Sequence, residues 1–216
     1  MNFFGHRLLF VGAHPDDIEI GCGAMLASVS STAEVLCVTL SENREKLEHK
    51  HLVDEHYRSM AVLGVAAERA IVESFETRNF PRDRQAILEY LYELNRTHRP
   101  DIVFVHSQAD IHQDHAVVTM EALRAFRGTT VLGFDVLRSS YGFFPDFLVE
   151  ISEGDVEKKI LALSKYETYS NKYYFDREIV RATLIRHGAL AERPFAEGFD
   201  ILRIVGNFTG TSVKGD

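Results

Sequence analysis

Short unbroken apolar runs alternate along this chain with longer segments of helical periodicity. The runs at 7–12, 34–40, 102–106 and 131–136 are hydrophobic at nearly every position, the pattern of strands covered on both faces rather than of strands with one wet face. Residues 69–73 form a weaker run, and 147–151 and 200–205 predict further strands. Between them, helices are predicted at 20–30, at 49–63 with Gly64 as the C-terminal cap, and from Pro81 to residue 97, where Ile87, Leu88, Leu91 and Leu94 share a face. Others follow at 116–126, after Ser152-Glu-Gly-Asp155, a capping-box pattern with Asp in place of Glu or Gln, and at 177–190. Strands alternating with helices in this way predict an α/β fold: a Rossmann-like, doubly wound, mostly parallel sheet flanked by helices, with its ligand site at the carboxyl ends of the strands.

Two of these predicted strands end in unusual chemistry. The 7–12 run leads into Ala13-His14-Pro15-Asp16-Asp17, and the 102–106 run into His106-Ser-Gln-Ala-Asp-Ile-His-Gln-Asp-His115. His14 and Asp17 are three residues apart across a proline, close enough to aim a nitrogen and a hard oxygen at one point, a donor mixture that suits Zn²⁺. The second stretch is the best source of a third ligand, since His112 and His115, three apart at a helix start, share a face. Alone, His-Pro-Asp-Asp reads equally as a turn, because Asp and Pro are common turn residues and both aspartates can cap the next helix.

The chain has 216 residues, 45% hydrophobic and 26% charged, which fits one domain spanning 1–216 with a substantial core. A formal charge of −8 disfavours a broad grip on nucleic acid. The N-terminal residues before the first strand are too few for a secretory signal and no apolar run reaches membrane-spanning length, so a cytoplasmic protein without a transmembrane segment is expected. Cys22 and Cys37 form no disulfide framework or spaced metal pair, and both are expected to be small buried side chains.

Taken together, Ala13-His-Pro-Asp-Asp17 with a trailing Glu19, followed by His112-x-Asp114-His115, resembles the PIG-L/LmbE family of zinc-dependent N-acetylglucosaminyl de-N-acylases. Glu55 with Leu63-Gly64 is similar to the helix that follows the second strand in that family. Ala196-Glu-Gly-Phe199 is similar to its C-terminal signature, and Lys165-Tyr-Glu-Thr-Tyr-Ser-Asn171 to its Tyr-x-Ser-Gln segment, with Asn171 in place of Gln. Leu52 stands where many members carry an Arg that holds the sugar.

The resemblance implies a metal site of His14, Asp17 and His115, with Asp16 as general base toward metal-activated water. It further implies His112 as electrostatic stabiliser or proton donor, oriented and charged by Asp114. Arg44, Arg78, Asp110, Tyr141 and Glu197 are candidate substrate contacts. The expected cofactor is Zn²⁺, with Fe²⁺, Co²⁺ or Mn²⁺ acceptable to the same donors. The expected partner is a small N-acetylated sugar or glycoconjugate, and the family inclines toward homo-oligomers. Two rival readings remain open: a zinc amidase on a non-sugar N-acyl compound, which Leu52 favours, and a non-catalytic Rossmann-like nucleotide-binding module. The second is weakened because Gly12, Gly21 and Gly23 do not spell the dinucleotide fingerprint, and Asp16 and Asp17 would repel a pyrophosphate.

Overall fold

The computed structural model describes Phe3 and residues 5–206. Among these, seven strands occur: β1 (Arg7–Gly12), β2 (Glu34–Thr39), β3 (Ala70–Val72), β4 (Ile102–His106), β5 (Thr130–Phe134), β6 (Phe147–Glu150) and β7 (Ala196–Arg203). Six α-helices accompany them: α1 (Asp17–Val29), α2 (Leu52–Val62), α3 (Phe80–His98), α4 (Gln113–Ala125), α5 (Glu153–Leu163) and α6 (Arg177–Leu190). The strands form one sheet in the order β3-β2-β1-β4-β5-β7-β6. β1 to β5 are mutually parallel, whereas β7 runs antiparallel to β5 and to β6.

Both faces of the sheet are covered, which is why its strands are apolar at consecutive positions. Leu8 and Phe10 of β1 join Met25 and Leu26 of α1, Met60 of α2 and Val156 of α5 in one core. Leu9 and Val11 point the other way, into Ile87 and Leu91 of α3 and Val118 and Ala122 of α4. Each such side chain contributes about 1.5–3 kcal/mol by leaving water. Cys22 and Cys37 belong to the first core and are fully buried.

β2 and β4 lie on opposite sides of β1, so the chain leaves the sheet in diverging directions at the β1 and β4 carboxyl ends. That divergence opens a crevice there, the usual ligand position in a doubly wound sheet. No helix among the described residues is long and apolar enough to cross a membrane.

Some element boundaries differ from the sequence expectation. α1 starts at Asp17 and α4 at Gln113, each three residues early, because the strand-end turns are tight: the Ile20 amide already donates to the Asp16 carbonyl, and the Ala116 amide to that of His112. α2 is shorter than expected, with Leu47–His49 forming a separate 3-10 turn. β7 begins at Ala196, so the tail signature is strand; the charged Glu197 and Asp200 interrupt the apolar run that would have revealed it.

Candidate metal centre and active-site cavity

The turn after β1 and the start of α4 bring three lone-pair donors together at the crevice. Nδ1 of His14 lies 3.4 Å from Oδ2 of Asp17, Nε2 of His115 lies 3.4 Å from the same oxygen, and the two nitrogens are 3.2 Å apart. Ligands held about 2.0–2.1 Å from a tetrahedral ion sit about 3.3–3.4 Å from one another, so this triangle has the dimensions of one face of such a site. Asp17 is further fixed by the His14 amide, which donates to its Oδ2 at 2.7 Å.

Each imidazole is backed by a buried carboxylate on its other nitrogen. His14 Nε2 is 3.0 Å from Asp114 Oδ2, and His115 Nδ1 is 2.7 Å from Asp110 Oδ2. A carboxylate there holds the ring proton on its own side and leaves the lone pair facing the triangle, the arrangement that orients metal-binding histidines. Asp114 also accepts from the amides of Arg78 (2.6 Å) and Phe80, and Asp110 from the His112 amide and the Ser139 hydroxyl (both 2.8 Å).

Two expectations are corrected by these bonds. The Asp114 carboxylate orients His14, not His112. Asp110 holds His115 and the loop around it instead of reaching into the cavity, whose lining does not include it.

The remaining histidines are engaged differently. Nε2 of His106 accepts the Ala13 amide at 3.0 Å, which uses its lone pair, and its ring stacks on His115 with centroids 3.8 Å apart. His112 is the N-cap of α4: its Nδ1 accepts the Asp114 amide at 3.2 Å. Its ring stacks on His115 and meets His14 edge-on at 5.0 Å.

The electrostatics follow from burial and neighbours. Burial disfavours a charged His14, but its hydrogen bonds to Asp114 and Asp17 outweigh this and push it up to about 10. Burial likewise opposes charge on Asp17, yet His115, His106 and His14 around it hold its carboxyl below the usual range. Asp16 moves the opposite way: burial and the adjacent Asp17 and Glu19 raise it well above an ordinary carboxylate. Its backbone lies in the left-handed region at φ 105°, costly for a residue with a Cβ, and its side chain makes no cap bond to α1. His112 is pushed down to about 4, chiefly by burial, with the neighbouring His115 and His14 rings adding to it. The expectation that a carboxylate partner would charge His112 is therefore reversed.

These groups face a cavity of about 230 Å³, lined by His14, Asp16, Asp17, His112 and His115 at its inner end. Arg78 lines it, its backbone in the left-handed region at φ 68°. Sequence reading missed Arg138, Tyr169, Lys172 and Tyr174 of the lining, which come from two irregular segments without periodicity. Tyr169 is carried by a turn that Glu55 of α2 secures, accepting from the Thr168 amide and hydroxyl at 3.1 and 3.0 Å.

Three other candidate contacts lie elsewhere. Arg44 is exposed and paired with Glu42 at 3.2 Å, and Tyr141 is 71% exposed; neither lines the cavity. Glu197 is buried in a structural role. α1 is broken at Cys22 (φ −144°, ψ 23°), and Glu197 accepts the amides of Ala24 and Met25, at 3.0 and 2.6 Å, where the helix restarts. Lys159 of α5 donates to Glu197 at 2.7 Å and to the Ile20 carbonyl at 2.6 Å, satisfying the end of the first half. Glu19 too is fully buried, accepting from the Tyr166 hydroxyl at 2.5 Å beside His56.

Comparison with known proteins adds identity to this geometry. The family model described as GlcNAc-PI de-N-acetylase, PIG-L, matches residues 9–126, the span holding both His/Asp motifs. The uncharacterized deacetylase YaiS of Escherichia coli (strain K12) is 27% identical over 171 residues, covering 74% of this chain and 90% of that protein. Among solved structures, the N,N'-diacetylchitobiose deacetylase of Pyrococcus horikoshii aligns with a TM-score of 0.70 at 17% identity, over 94% of this chain and 88% of that one. GalB of Pseudomonas putida KT2440, a 4-carboxy-2-hydroxymuconate hydratase, aligns with a TM-score of 0.73 at 20% identity, over 94% and 99%. At such identities the likeness is one of fold, and that fold serves more than one chemistry.

Proposed function

Because the chain belongs to the GlcNAc-PI de-N-acetylase (PIG-L) family, we propose that it is a metal-dependent N-deacetylase. In this reading it hydrolyses the acetamide of an N-acetylglucosamine-type sugar or sugar conjugate to a free amine and acetate. The observation that carries the reading is the His14–Asp17–His115 triangle, with sides of 3.2–3.4 Å and a carboxylate behind each imidazole. Two nitrogens and one carboxylate oxygen match a catalytic zinc site with one position left open, and Fe²⁺, Co²⁺ or Mn²⁺ fit the same donors. A divalent ion held there supplies Lewis acidity, polarising the amide carbonyl and acidifying water.

The protein's own groups divide the proton work. Asp16 takes the proton of the attacking water and returns it to the departing amine nitrogen. Its raised pKa suits that exchange, since a carboxyl poised nearer neutrality both accepts and donates readily. His112 acts as a neutral donor: its Nδ1 accepts the Asp114 amide, which leaves the proton on Nε2, free to bond the oxyanion that develops on the attacked carbonyl. Asp114 and Asp110 are positioning residues that keep His14 and His115 in the ligating tautomer.

The test is acetate release by zinc-loaded protein from N-acetylglucosamine, N,N'-diacetylchitobiose and a set of N-acetylated amino acids. Sugar turnover, lowered by about 10²–10⁴-fold in Asp16→Asn while bound metal is retained, is the expected result. Turnover of the amino acids alone would replace the sugar reading with an amidase on non-sugar compounds. No acetate from any member of the set, nor from its phosphorylated and carboxylated sugar counterparts, would refute the deacetylase itself.

A further inference from the structure

We propose that the substrate of this site is anionic, bearing a carboxylate or phosphate that Arg138 holds together with Arg78 and Lys172; this rests on the deacetylase reading above. The chain as a whole is acidic, with 32 Asp and Glu against 24 Lys and Arg, yet four cations line the cavity: Lys46, Arg78, Arg138 and Lys172. Of its acids, Asp17 accepts the His14 amide at 2.7 Å and Glu45 the Thr77 amide at 2.6 Å, while Asp16 attracts Arg138 from beyond ion-pair distance.

Only Lys46 among the four has an acidic partner, Glu48 at 3.7 Å. Elsewhere eleven described arginines form ion pairs, so in this acidic chain an arginine usually finds a carboxylate. Arg78, Arg138 and Lys172 have none among the described residues. Three cations without an ion pair around one cavity create a positive field that an oxyanion would neutralise, and Arg offers the planar fork that suits carboxylate and phosphate.

Their placement ties this field to the reacting centre. The Arg78 amide donates to Asp114, the carboxylate behind His14, and the hydroxyl of Ser139, next to Arg138, donates to Asp110, the carboxylate behind His115. Both arginine-bearing loops are therefore fastened to the groups that set the metal ligands. The Arg138 guanidinium also rests 5.9 Å from the centre of the Tyr174 ring, a second cavity residue. An anion held here is part of the molecule being hydrolysed, at a fixed distance from its acetamide.

Zinc-loaded protein would be given neutral N-acetylglucosamine, its 1-phosphate and 6-phosphate, and N-acetylmuramic acid, which carries a carboxylate. For at least one anionic compound kcat/KM should exceed that of the neutral sugar by about tenfold or more, and the advantage should shrink with added salt. Arg138→Gln should lower that ratio severalfold, and Arg138→Lys should restore part of it. Lys172→Gln, a change at an exposed residue, gives a second ratio should Arg138 variants fold poorly. The phosphate and carboxylate compounds separate the two sources of the charge.

Equal turnover of neutral and anionic sugars, with Arg138→Gln affecting all alike, overturns the proposal and leaves the deacetylase reading standing. Binding of the corresponding amines, glucosamine 6-phosphate and glucosamine, is measured by calorimetry in parallel. Tighter binding of the phosphate, lost in Arg138→Gln, with no acetate released from any compound would uphold the anion site and sink the deacetylase.

Discussion

Replacing Glu197 with Leu removes one carboxylate that the sequence motif marked as a substrate contact and that the structure places in the break of α1. Its Oε1 accepts from Ala24 and Lys159, and its Oε2 from Met25. The Glu197 and Lys159 side chains are at most 6% exposed, so the discounted value of a surface pair does not apply. Loss of one partner strands a buried ammonium with only the Ile20 carbonyl and leaves two amides without acceptors. Breaking such a pair costs about 3–5 kcal/mol. Against a total stability of roughly 5–15 kcal/mol this is about a fifth or more, and at about 2–4 °C per kcal/mol it lowers the melting temperature by roughly 6–20 °C.

The double variant Glu197→Leu/Lys159→Met should recover part of the loss, because an apolar pair no longer buries an uncompensated charge. Urea and thermal unfolding followed by circular dichroism measure both, and KM for the preferred N-acetyl sugar is taken below the melting range. A Glu197→Leu protein that melts within about 2 °C of wild type and shows a raised KM would refute the reasoning and return Glu197 to the substrate.

Two further outcomes follow from buried carboxylates. Asp114→Asn and Asp110→Asn should each weaken zinc binding by about 10–100-fold, measured by competition with a chromophoric chelator; unchanged affinity would remove their role behind the two histidines. Asp135, with an unpartnered buried oxygen, is pushed up to about 6, chiefly by burial. The folded state therefore holds its proton more tightly than the unfolded chain between about pH 4 and pH 6, so this group's contribution to stability falls as pH rises through that window, by about 1.4 kcal/mol per pH unit. Asp135→Asn should thus gain about 1–3 kcal/mol at pH 8 and almost nothing at pH 4 in denaturant titrations; an equal change at both values would contradict this.

The fold and the two motif-bearing strand ends were legible because both signals are local. A strand covered on both faces must be apolar along its middle, and β1, β2, β4 and β5 carry charged or polar residues only at their ends. His14 and Asp17 are read from a short spacing beside such a strand, and their joining with His115 comes from the family resemblance. What stayed hidden depends on partners distant in sequence. Nothing near Asp114 reveals that its carboxylate meets His14, one hundred residues away, nor near Glu197 that its acceptors serve a helix break 172 and 173 residues earlier. Arg138 and Lys172 sit in irregular segments, where composition alone does not say what they face. Leu52, which departed from the family pattern, is fully buried against Tyr166 and Tyr169, so an arginine there would have to bury its charge among aromatic rings.

Metal content measured by mass spectrometry on untagged, chelator-free protein, with acetate release assayed on the same samples, tests the central claim most directly. The expected result is about one divalent ion per chain in the wild type, lost together with acetate release in His14→Ala/His115→Ala. Full acetate release from metal-free wild-type protein, or one ion per chain retained in the double variant, would contradict it.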